Sequence, residues 1–336
     1  MQQQHNATAM PHVPTSEAPP QTAAGRQAIQ GRIGFVGLGR MGSVMAANLA
    51  AGGCRVTAYI RHPELCEELA ALGLHPSLDI GDLFECDIVI SMLPDDAAVH
   101  SIIFGRNDEV GSDGLAGNLM PGAVHLSMST ISTAAAARFA SEHKRCSQHY
   151  VAAPVFGNPE AAKARELFII AAGDIDQVDR VRPIFDLLGQ RTFYVGVDPG
   201  GANLVKLAGN VMTATALEML GEVLTLVRKR GLDAELFLDI LTSTMFGSRV
   251  HRIYGAKIAA QRYAASGFVL PLALKDVRLA LAEAEAASVP MPSVSVVRDR
   301  LITGIARGYA DLDWSALGLV AAQEAGLAIN DVPKQT

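Results

Sequence analysis

Short apolar runs alternate with stretches of helical periodicity over the first two thirds of the chain. The helical stretches include residues 41–51 and 63–72. The strand-like runs are Ile33–Gly37, Arg55–Ile60, Asp87–Met92 and Val124–Met128, followed by Tyr150–Val155, Leu167–Ala171 and Thr192–Val195. Because strands that alternate with helices are typical of βαβ units, the pattern predicts an α/β fold: a doubly wound parallel sheet with helices on both faces, extended by the last three strands.

The pattern changes after Gly201. Residues 202–230 contain few helix breakers and are apolar nearly all round, which predicts a long helix buried in a helical domain or against a partner subunit. Further helices are expected up to residue 328. We therefore predict a disordered tail over 1–30, a nucleotide-binding domain over 31–197 and an all-α domain over 198–330 that binds substrate and forms a homodimer.

Composition and charge exclude several classes of protein. The 336 residues carry a formal charge of −6 and no basic cluster, so nucleic acid is not an expected partner. Polar residues such as Lys206 and Glu218 interrupt the most apolar segment, so no membrane span is predicted. Four cysteines without C-x-x-C spacing argue against a zinc cage and suit a reducing cytoplasm.

The first 30 residues are rich in Gln, Ala, Pro, Ser and Thr and lack the apolar core of a secretory signal. A disordered tail is the expected structure, with an organelle transit peptide as the alternative. The nine histidines show no metal-ligand spacing, so no metal is predicted.

The first apolar strand leads directly into a G-x-G-x-x-G sequence that opens a helix, which is the context that a dinucleotide-binding loop requires. Gly37 suits the tight turn, Gly39 leaves room for a pyrophosphate, and Gly42 allows close packing of helix and strand. The fold is therefore predicted to be of the Rossmann type. The predicted cofactor contacts of this loop are Gly37, Leu38, Gly39, Arg40, Met41 and Gly42.

Arg61 follows the second strand, where an Asp or Glu would bind the adenosine ribose of NAD. A guanidinium at this point favours a 2′-phosphate, so NADP(H) is the predicted cofactor, with a solvated surface arginine as the alternative. Leu93, Pro94 and Thr130 lie in turns at the carboxyl ends of later strands, and they are predicted to contact the same cofactor.

Lys206 and Asn210 lie four residues apart, on one face of the long apolar helix. A buried lysine beside a nicotinamide would donate a proton to a carbonyl oxygen and stabilise a developing alkoxide. The spacing alone also allows a lysine that reaches the surface or pairs with a carboxylate.

The ordered motifs of the chain resemble those of the β-hydroxyacid dehydrogenase family, which includes 3-hydroxyisobutyrate dehydrogenases and glyoxylate/succinic semialdehyde reductases. The resemblance covers residues 32–328. It implies that Lys206 is the catalytic acid/base, that Asn210 orients the substrate oxygen and that Lys275 lies beside the cofactor. The motifs are the glycine loop 34–42, Met92-Leu93-Pro94, Ser129-Thr130, Ala153-Pro154-Val155, the segment 201–206 with Asn210, and Leu274-Lys275-Asp276.

One loop departs from the family pattern. The usual sequence P-V-S-G-G reads Pro154-Val155-Phe156-Gly157-Asn158 here. Phe156 removes a hydroxyl and adds an aromatic wall, whereas Gly157 and Asn158 retain donors. Ser129, Phe156, Gly157 and Asn158 are the predicted substrate contacts.

Three functions are thus open. The preferred one is an NADP-dependent reductase of a small semialdehyde or the carbonyl form of a β-hydroxyacid. Phe156 also resembles the bulky residue of imine reductases, although Lys206 favours carbonyl chemistry. The third is a non-catalytic scaffold, which Lys206 argues against.

Overall fold

The computed structural model describes residues 31–105, 113–264 and 267–327. The predicted disordered tail over 1–30 and the end of the predicted helical domain, 328–330, lie outside these residues. The chain contains a Rossmann-type half followed by a helical half, as the sequence pattern predicts.

A six-stranded parallel sheet forms the core of the first half. Its strands are β1 (Ile33–Val36), β2 (Val56–Tyr59), β3 (His75–Ser77), β4 (Ile88–Ser91), β5 (Val124–Ser127) and β6 (His149–Ala152). They pair in the order β3-β2-β1-β4-β5-β6, and every pairing is parallel. All four residues of β1, β4 and β5 are buried, because helices cover both faces of the sheet. The strand order reverses between β1 and β4, which is where ligands of such sheets bind.

Of the last three predicted strands, only the first extends this sheet, so the prediction is wrong for the other two. The run 150–155 divides into β6 and the short strand β7 (Val155–Phe156). β7 pairs with β8 (Leu167–Ala171) in antiparallel fashion, and β8 pairs with β9 (Gly189–Tyr194) to form a separate three-stranded sheet. The chain turns at Ala153-Pro154 between the two sheets, and strand propensity alone does not record such a turn.

Helices cover the sheets and build the second half. In the first half they are α1 (Gly42–Ala51), α2 (Cys66–Ala71), α3 (Asp96–Phe104), α4 (Leu115–Asn118), α5 (Thr133–Arg145), α6 (Pro159–Lys163) and α7 (Ile175–Leu188). In the second half they are α8 (Pro199–Lys229), α9 (Ala234–Ser243), α10 (Arg249–Ala259), α11 (Leu270–Ala286), α12 (Pro292–Ala306) and α13 (Leu317–Glu324).

Helix α8 is the central element of the second half. It begins after the N-cap Asp198, whose carboxylate accepts a hydrogen bond from Gly200, and it runs for 31 residues. It packs against α5 of the first half and against α10, α11 and α13 of the second. By length and composition alone it could cross a membrane, but 56% of its most apolar window is buried within the fold, as expected of a core helix.

A chain of buried polar side chains crosses the Rossmann half behind the turns at the carboxyl ends of β4 and β5. The Ser91 hydroxyl lies 2.9 Å from His125 Nε2, His125 Nδ1 lies 2.9 Å from His143 Nε2, and His143 Nδ1 lies 2.7 Å from Gln148 Oε1. Gln148 Nε2 donates to two backbone carbonyls, which fixes its oxygen as the acceptor. Both histidines are therefore neutral and protonated on Nδ1, and burial lowers the pKa of His143 to about 4.

Candidate active site

The glycine loop after β1 shows why each of two glycines is required. Gly37 has a φ of +91°, and a Cβ there would lie 2.3 Å from the Met92 carbonyl oxygen. A Cβ on Gly42 would lie 1.9 Å from the Gly37 carbonyl oxygen. The first glycine thus permits the turn beside β4, and the second lets α1 begin against the loop.

Gly39 differs from these two, because a Cβ there would meet nothing within 4 Å. The space lies at the N-terminus of the ten-residue helix α1, and the N-cap residue Met41 makes no capping hydrogen bond with its side chain. Helix N–H groups with a partial positive charge face this space. The loop therefore fits the pyrophosphate of a dinucleotide, which would occupy the volume that any side chain at position 39 would fill.

The other predicted cofactor residues follow strands that neighbour this loop. Arg61 is exposed and comes two residues after β2, the strand that pairs with β1. Leu93 follows β4, and its backbone N–H donates to the Ser129 hydroxyl over 2.8 Å. Thr130 is half-buried, and Pro94 and Arg40 are exposed. These residues border the edge of the sheet where the glycine loop lies.

A hydrogen-bonded series of side chains connects α8 to this edge. Lys206 Nζ donates to Asn210 Oδ1 over 3.0 Å, and Asn210 Nδ2 donates to Asp276 Oδ2 over 2.5 Å. The other carboxylate oxygen of Asp276 lies 2.9 Å from Lys275 Nζ. Lys275 Nζ in turn donates to the Thr130 carbonyl oxygen over 2.5 Å. The candidate proton donor and the predicted cofactor turn therefore share one polar network, centred on the buried carboxylate of Asp276.

The electrostatic environment of Lys206 is unusual for a lysine. Burial lowers its pKa to about 8 from an ordinary value of 10.5. The negative charge of Asp276 opposes this shift, and the positive charge of Lys275 adds to it. An amine with a pKa near 8 both gives and accepts protons at physiological pH, which is what a general acid/base requires.

Phe156 lies directly under the Lys206 ammonium, with Nζ 4.5 Å from the centroid of the ring. A Cβ on Gly209 would lie 2.4 Å from the Phe156 ring, so the ring packs against α8 where the helix has no side chain. The aromatic face attracts the cation and excludes water from one side of it. Phe156 therefore forms part of the surroundings of Lys206.

The remaining predicted substrate contacts lie in two places. Gly157 has a φ of +145°, and the Asn158 side chain caps α6 by accepting from Ala161 N–H over 2.9 Å. Both residues line a cleft beside Lys206. Ser129 is fully buried, and its hydroxyl bridges the Leu93 N–H and the Ser91 carbonyl oxygen. Its hydroxyl therefore joins the turns after β4 and β5.

A cleft of about 750 Å³ opens beside Lys206 and is lined by residues from both halves of the chain. Its charged residues are Glu160, Glu166, Lys206, Arg249, Lys257 and Asp313, and its aromatic residues are Phe156, Phe168, Tyr254, Phe268 and Trp314. Asn210 and Thr213 continue the Lys206 face of α8 into it. Lys206 and Asn210 thus lie on the wall of the cavity that Phe156, Gly157 and Asn158 also line, whereas Ser129 does not line it. Within the described ranges, no group of three or more His, Cys, Asp or Glu side chains could hold a metal ion.

Two features of this site have no local signal in the sequence. Asp276 belongs to the motif Leu274-Lys275-Asp276, but only the fold shows that it links Lys275 to Asn210. The aromatic residues of the second half are far apart in sequence, and no spacing rule brings them together. Glu218, another carboxylate on α8, pairs with Arg300 over 3.0 Å and does not line the cleft.

The glycine loop lies where the strand order of the Rossmann sheet reverses, and a helical half follows this sheet along the chain. Together these features define a class of dinucleotide-binding dehydrogenases. The profile described as the NAD binding domain of 6-phosphogluconate dehydrogenase matches residues 32–196. The profile described as NAD-binding of NADP-dependent 3-hydroxyisobutyrate dehydrogenase matches residues 200–322. The chain belongs to the β-hydroxyacid dehydrogenase family, as the resemblance of its motifs implies.

Individual relatives agree with this assignment. An uncharacterized oxidoreductase, YfjR of Bacillus subtilis, is 37% identical over 85% of this chain and 98% of its own length. The 2-hydroxy-3-oxopropionate reductase of Escherichia coli is 31% identical over 85% of this chain and 95% of its own.

Solved structures share the fold. The 3-hydroxyisobutyrate dehydrogenase of Mycobacterium tuberculosis, solved with L-serine, has a TM-score of 0.75 at 26% identity, covering 86% of this chain and 98% of its own. An imine reductase from Pseudomonas sp. has a TM-score of 0.55 at 20% identity, covering 87% of this chain and 99% of its own. The second comparison shows a likeness of fold alone.

Proposed function

We propose that this protein is an NADP(H)-dependent oxidoreductase that interconverts the carbonyl and hydroxyl forms of a small β-hydroxyacid or semialdehyde. The observation that carries the proposal is the Lys206 ammonium: it lies on the cleft wall, donates to Asn210 and has a pKa lowered to about 8. Relatives with names such as 2-hydroxy-3-oxopropionate reductase support the reaction class.

The residues of the chain account for binding and proton transfer. The glycine loop, Thr130 and Lys275 would hold the cofactor, and a bound reduced nicotinamide supplies hydride to the carbonyl carbon. Lys206 donates its proton to the carbonyl oxygen, so one carbonyl, one hydride and one proton give one alcohol. The neutral amine then takes a proton from solvent. Asn210 holds the ammonium in place, and Asp276 orients the Asn210 amide.

The preference for NADP(H) rests on Arg61. No acidic side chain follows β2 at the point where the ribose of NAD is bound in this fold. An exposed guanidinium there would form charge-assisted hydrogen bonds to a 2′-phosphate.

A second candidate is reduction of a C=N bond, which one observation favours. Phe156 replaces the hydroxyl of the usual substrate loop with an aromatic ring, and this ring faces the cleft. Lys206 favours carbonyl reduction, because its ammonium stabilises the negative charge that develops on a carbonyl oxygen and would repel the positive charge of a protonated imine. The non-catalytic alternative predicts no oxidation of NADPH with any carbonyl.

We also propose that the chain consists of a nucleotide-binding domain over 31–197 and a helical domain over 198–330. The helical domain forms a homodimer through α8. Val205, Met212, Met219 and Leu226 follow one another at intervals of seven residues, and they are 40%, 74%, 45% and 62% exposed. Such a stripe of large apolar side chains is typical of a surface that a second helix covers. Sedimentation velocity of the purified protein would show a single species of twice the chain mass, and a monomer at micromolar concentration would refute this proposal.

The test of the function is a substrate panel measured by NADPH oxidation at 340 nm. The panel contains glyoxylate, succinic semialdehyde, other aldehydes and ketoacids, and a cyclic imine, each with NADPH and with NADH. The proposal predicts turnover of aldehydes or ketoacids and a higher kcat/KM with NADPH. Turnover of the imine alone would establish the second candidate, and no turnover of any compound would favour the scaffold.

A further inference from the structure

The cleft beside Lys206 extends well beyond the lysine itself. Its volume of about 750 Å³ lies in the range of pockets that enclose ligands of drug size. It reaches from Phe156 and Phe168 in the first half to Tyr254, Phe268 and Trp314 in the second. A semialdehyde of four carbons would contact only a small part of this surface.

Three aromatic side chains form a fixed surface on the second half, which we call the aromatic wall: Tyr254, Phe268 and Trp314. Trp314 is 5% exposed and stands between the other two rings. The Tyr254 ring lies 5.5 Å from it at 85°, and the Phe268 ring lies 4.7 Å from it at 76°. These edge-to-face contacts hold the rings in place, so the wall exists before any ligand binds.

Aliphatic side chains continue this surface. Val250 and Ile253 of α10 line the same cleft, and Ile253 is 39% exposed. A large apolar side chain that faces a cleft costs free energy unless a ligand covers it. The second half therefore offers a ligand an apolar surface of several side chains.

The charges of the cleft do not favour a short anion. Arg249 lies 3.5 Å from the Glu166 carboxylate, and Lys257 lies 3.0 Å from that of Asp313. A substrate carboxylate would have to compete with these acidic groups for either cation.

We infer that the carbonyl substrate carries an aromatic or similarly bulky apolar group, which packs against the aromatic wall while its carbonyl oxygen lies at Lys206. The inference rests on the proposed reductase function and narrows it to a substrate class. It makes Phe268 and Ile253 determinants of specificity, because they cover the apolar group and do not touch the proton donor.

The first test measures binding without turnover. Trp314 is the only tryptophan of the chain, so its fluorescence reports directly on a ligand at the wall. The probes are 3-phenylpropan-1-ol and 4-hydroxybutanoate, which share a hydroxypropyl chain and end in a phenyl ring and a carboxylate, respectively. We expect a Kd at least tenfold lower for 3-phenylpropan-1-ol. An equal or lower Kd for 4-hydroxybutanoate would overturn the inference.

The second test compares kcat/KM for 3-phenylpropanal and succinic semialdehyde with NADPH. The inference predicts at least a tenfold preference for 3-phenylpropanal. A preference for succinic semialdehyde would refute the inference and leave the proposed function intact. If neither aldehyde nor any other carbonyl is reduced, although NADPH binds, the proposed function itself fails.

A matched pair of variants locates the effect. Ile253→Asp places a charge on the apolar surface, whereas Ile302→Asp makes the same change on α12 at a residue that is 41% exposed and does not line the cleft. We expect I253D to lower kcat/KM for 3-phenylpropanal at least tenfold, because the charge removes apolar contact from the phenyl group. I302D should leave this value unchanged. An I253D variant that is folded by circular dichroism and keeps its activity with 3-phenylpropanal would contradict the proposed placement.

Discussion

The pKa of Lys206 leads to a quantitative prediction for the pH dependence of reduction. Only the ammonium form donates a proton to the carbonyl oxygen, and burial lowers its pKa to about 8. At pH 9.5 the protonated fraction is about 3% for a pKa of 8 and about 90% for an unshifted lysine. Reduction should therefore be about 30-fold slower at pH 9.5 than its plateau below pH 7, and most of this loss comes from burial of the amine.

The assay is kcat/KM for the aldehyde at saturating NADPH from pH 6 to 10. We expect the value to fall tenfold per pH unit above about 8. Oxidation of the alcohol needs the neutral amine, so its kcat/KM should rise up to the same pH and then level off. A reduction rate that stays constant to pH 9.5 would refute the reasoning.

Lys206→Arg is the control, since a guanidinium stays charged over the whole range. Any activity that remains in this variant should lack the break near pH 8. If the break persists in K206R, another group titrates there. Circular dichroism at each pH would separate loss of the fold from titration of the active site.

Three further predictions concern the surroundings of the site. Asp276→Asn removes the negative charge that raises the pKa of Lys206, so the break in the pH profile of reduction should move below pH 8 while the fold is retained. An unchanged break would show that the charge of Asp276 does not affect the pKa of Lys206. Arg61→Ser should raise the KM for NADPH about 10- to 100-fold and leave the KM for NADH unchanged. This increase corresponds to the loss of hydrogen bonds to a charged group, which contribute about 1.5–3 kcal/mol. Equal effects on both cofactors would mean that Arg61 does not bind the 2′-phosphate. For stability, the unfolded chain binds a proton at His143 below pH 6.5, whereas burial lowers the pKa of His143 in the folded chain to about 4. The free energy of unfolding should therefore fall by about 2 kcal/mol between pH 7 and 5 from His143 alone, measured by urea titration. A His143→Gln variant should lose this contribution and keep that of His125, whose pKa burial also lowers.

The sequence could predict the Rossmann half and the glycine loop because both depend on local rules. Continuous apolar runs indicate strands that are buried on both faces, and Gly37 and Gly42 occur where the backbone has no room for a side chain. The second sheet could not be predicted in the same way. Whether β8 joins β6 or β7 depends on the turn at Ala153-Pro154, and this turn is set by packing between segments that are distant in the sequence.

The candidate site was predictable only in part, for a related reason. Lys206 and Asn210 share a helix face, so their spacing already places them together. Asp276 bonds to Asn210 from α11, and Trp314 lines the cleft from a third segment, so no local pattern brings these residues together. The Phe156 ring packs against Gly209, which lies 53 residues further along the chain, so the sequence reveals the unusual residue but not its position.

The central claim is that one ammonium, Lys206, supplies the proton during reduction, and Lys206→Ala tests it most directly. NADPH affinity and kcat should be measured on the same preparation, the first by the fluorescence of the bound cofactor and the second with the best aldehyde of the panel. The account predicts a loss of kcat of at least a hundredfold with a Kd for NADPH within about threefold of that of the unmodified protein. A folded K206A enzyme that retains more than about a tenth of its kcat would contradict the account.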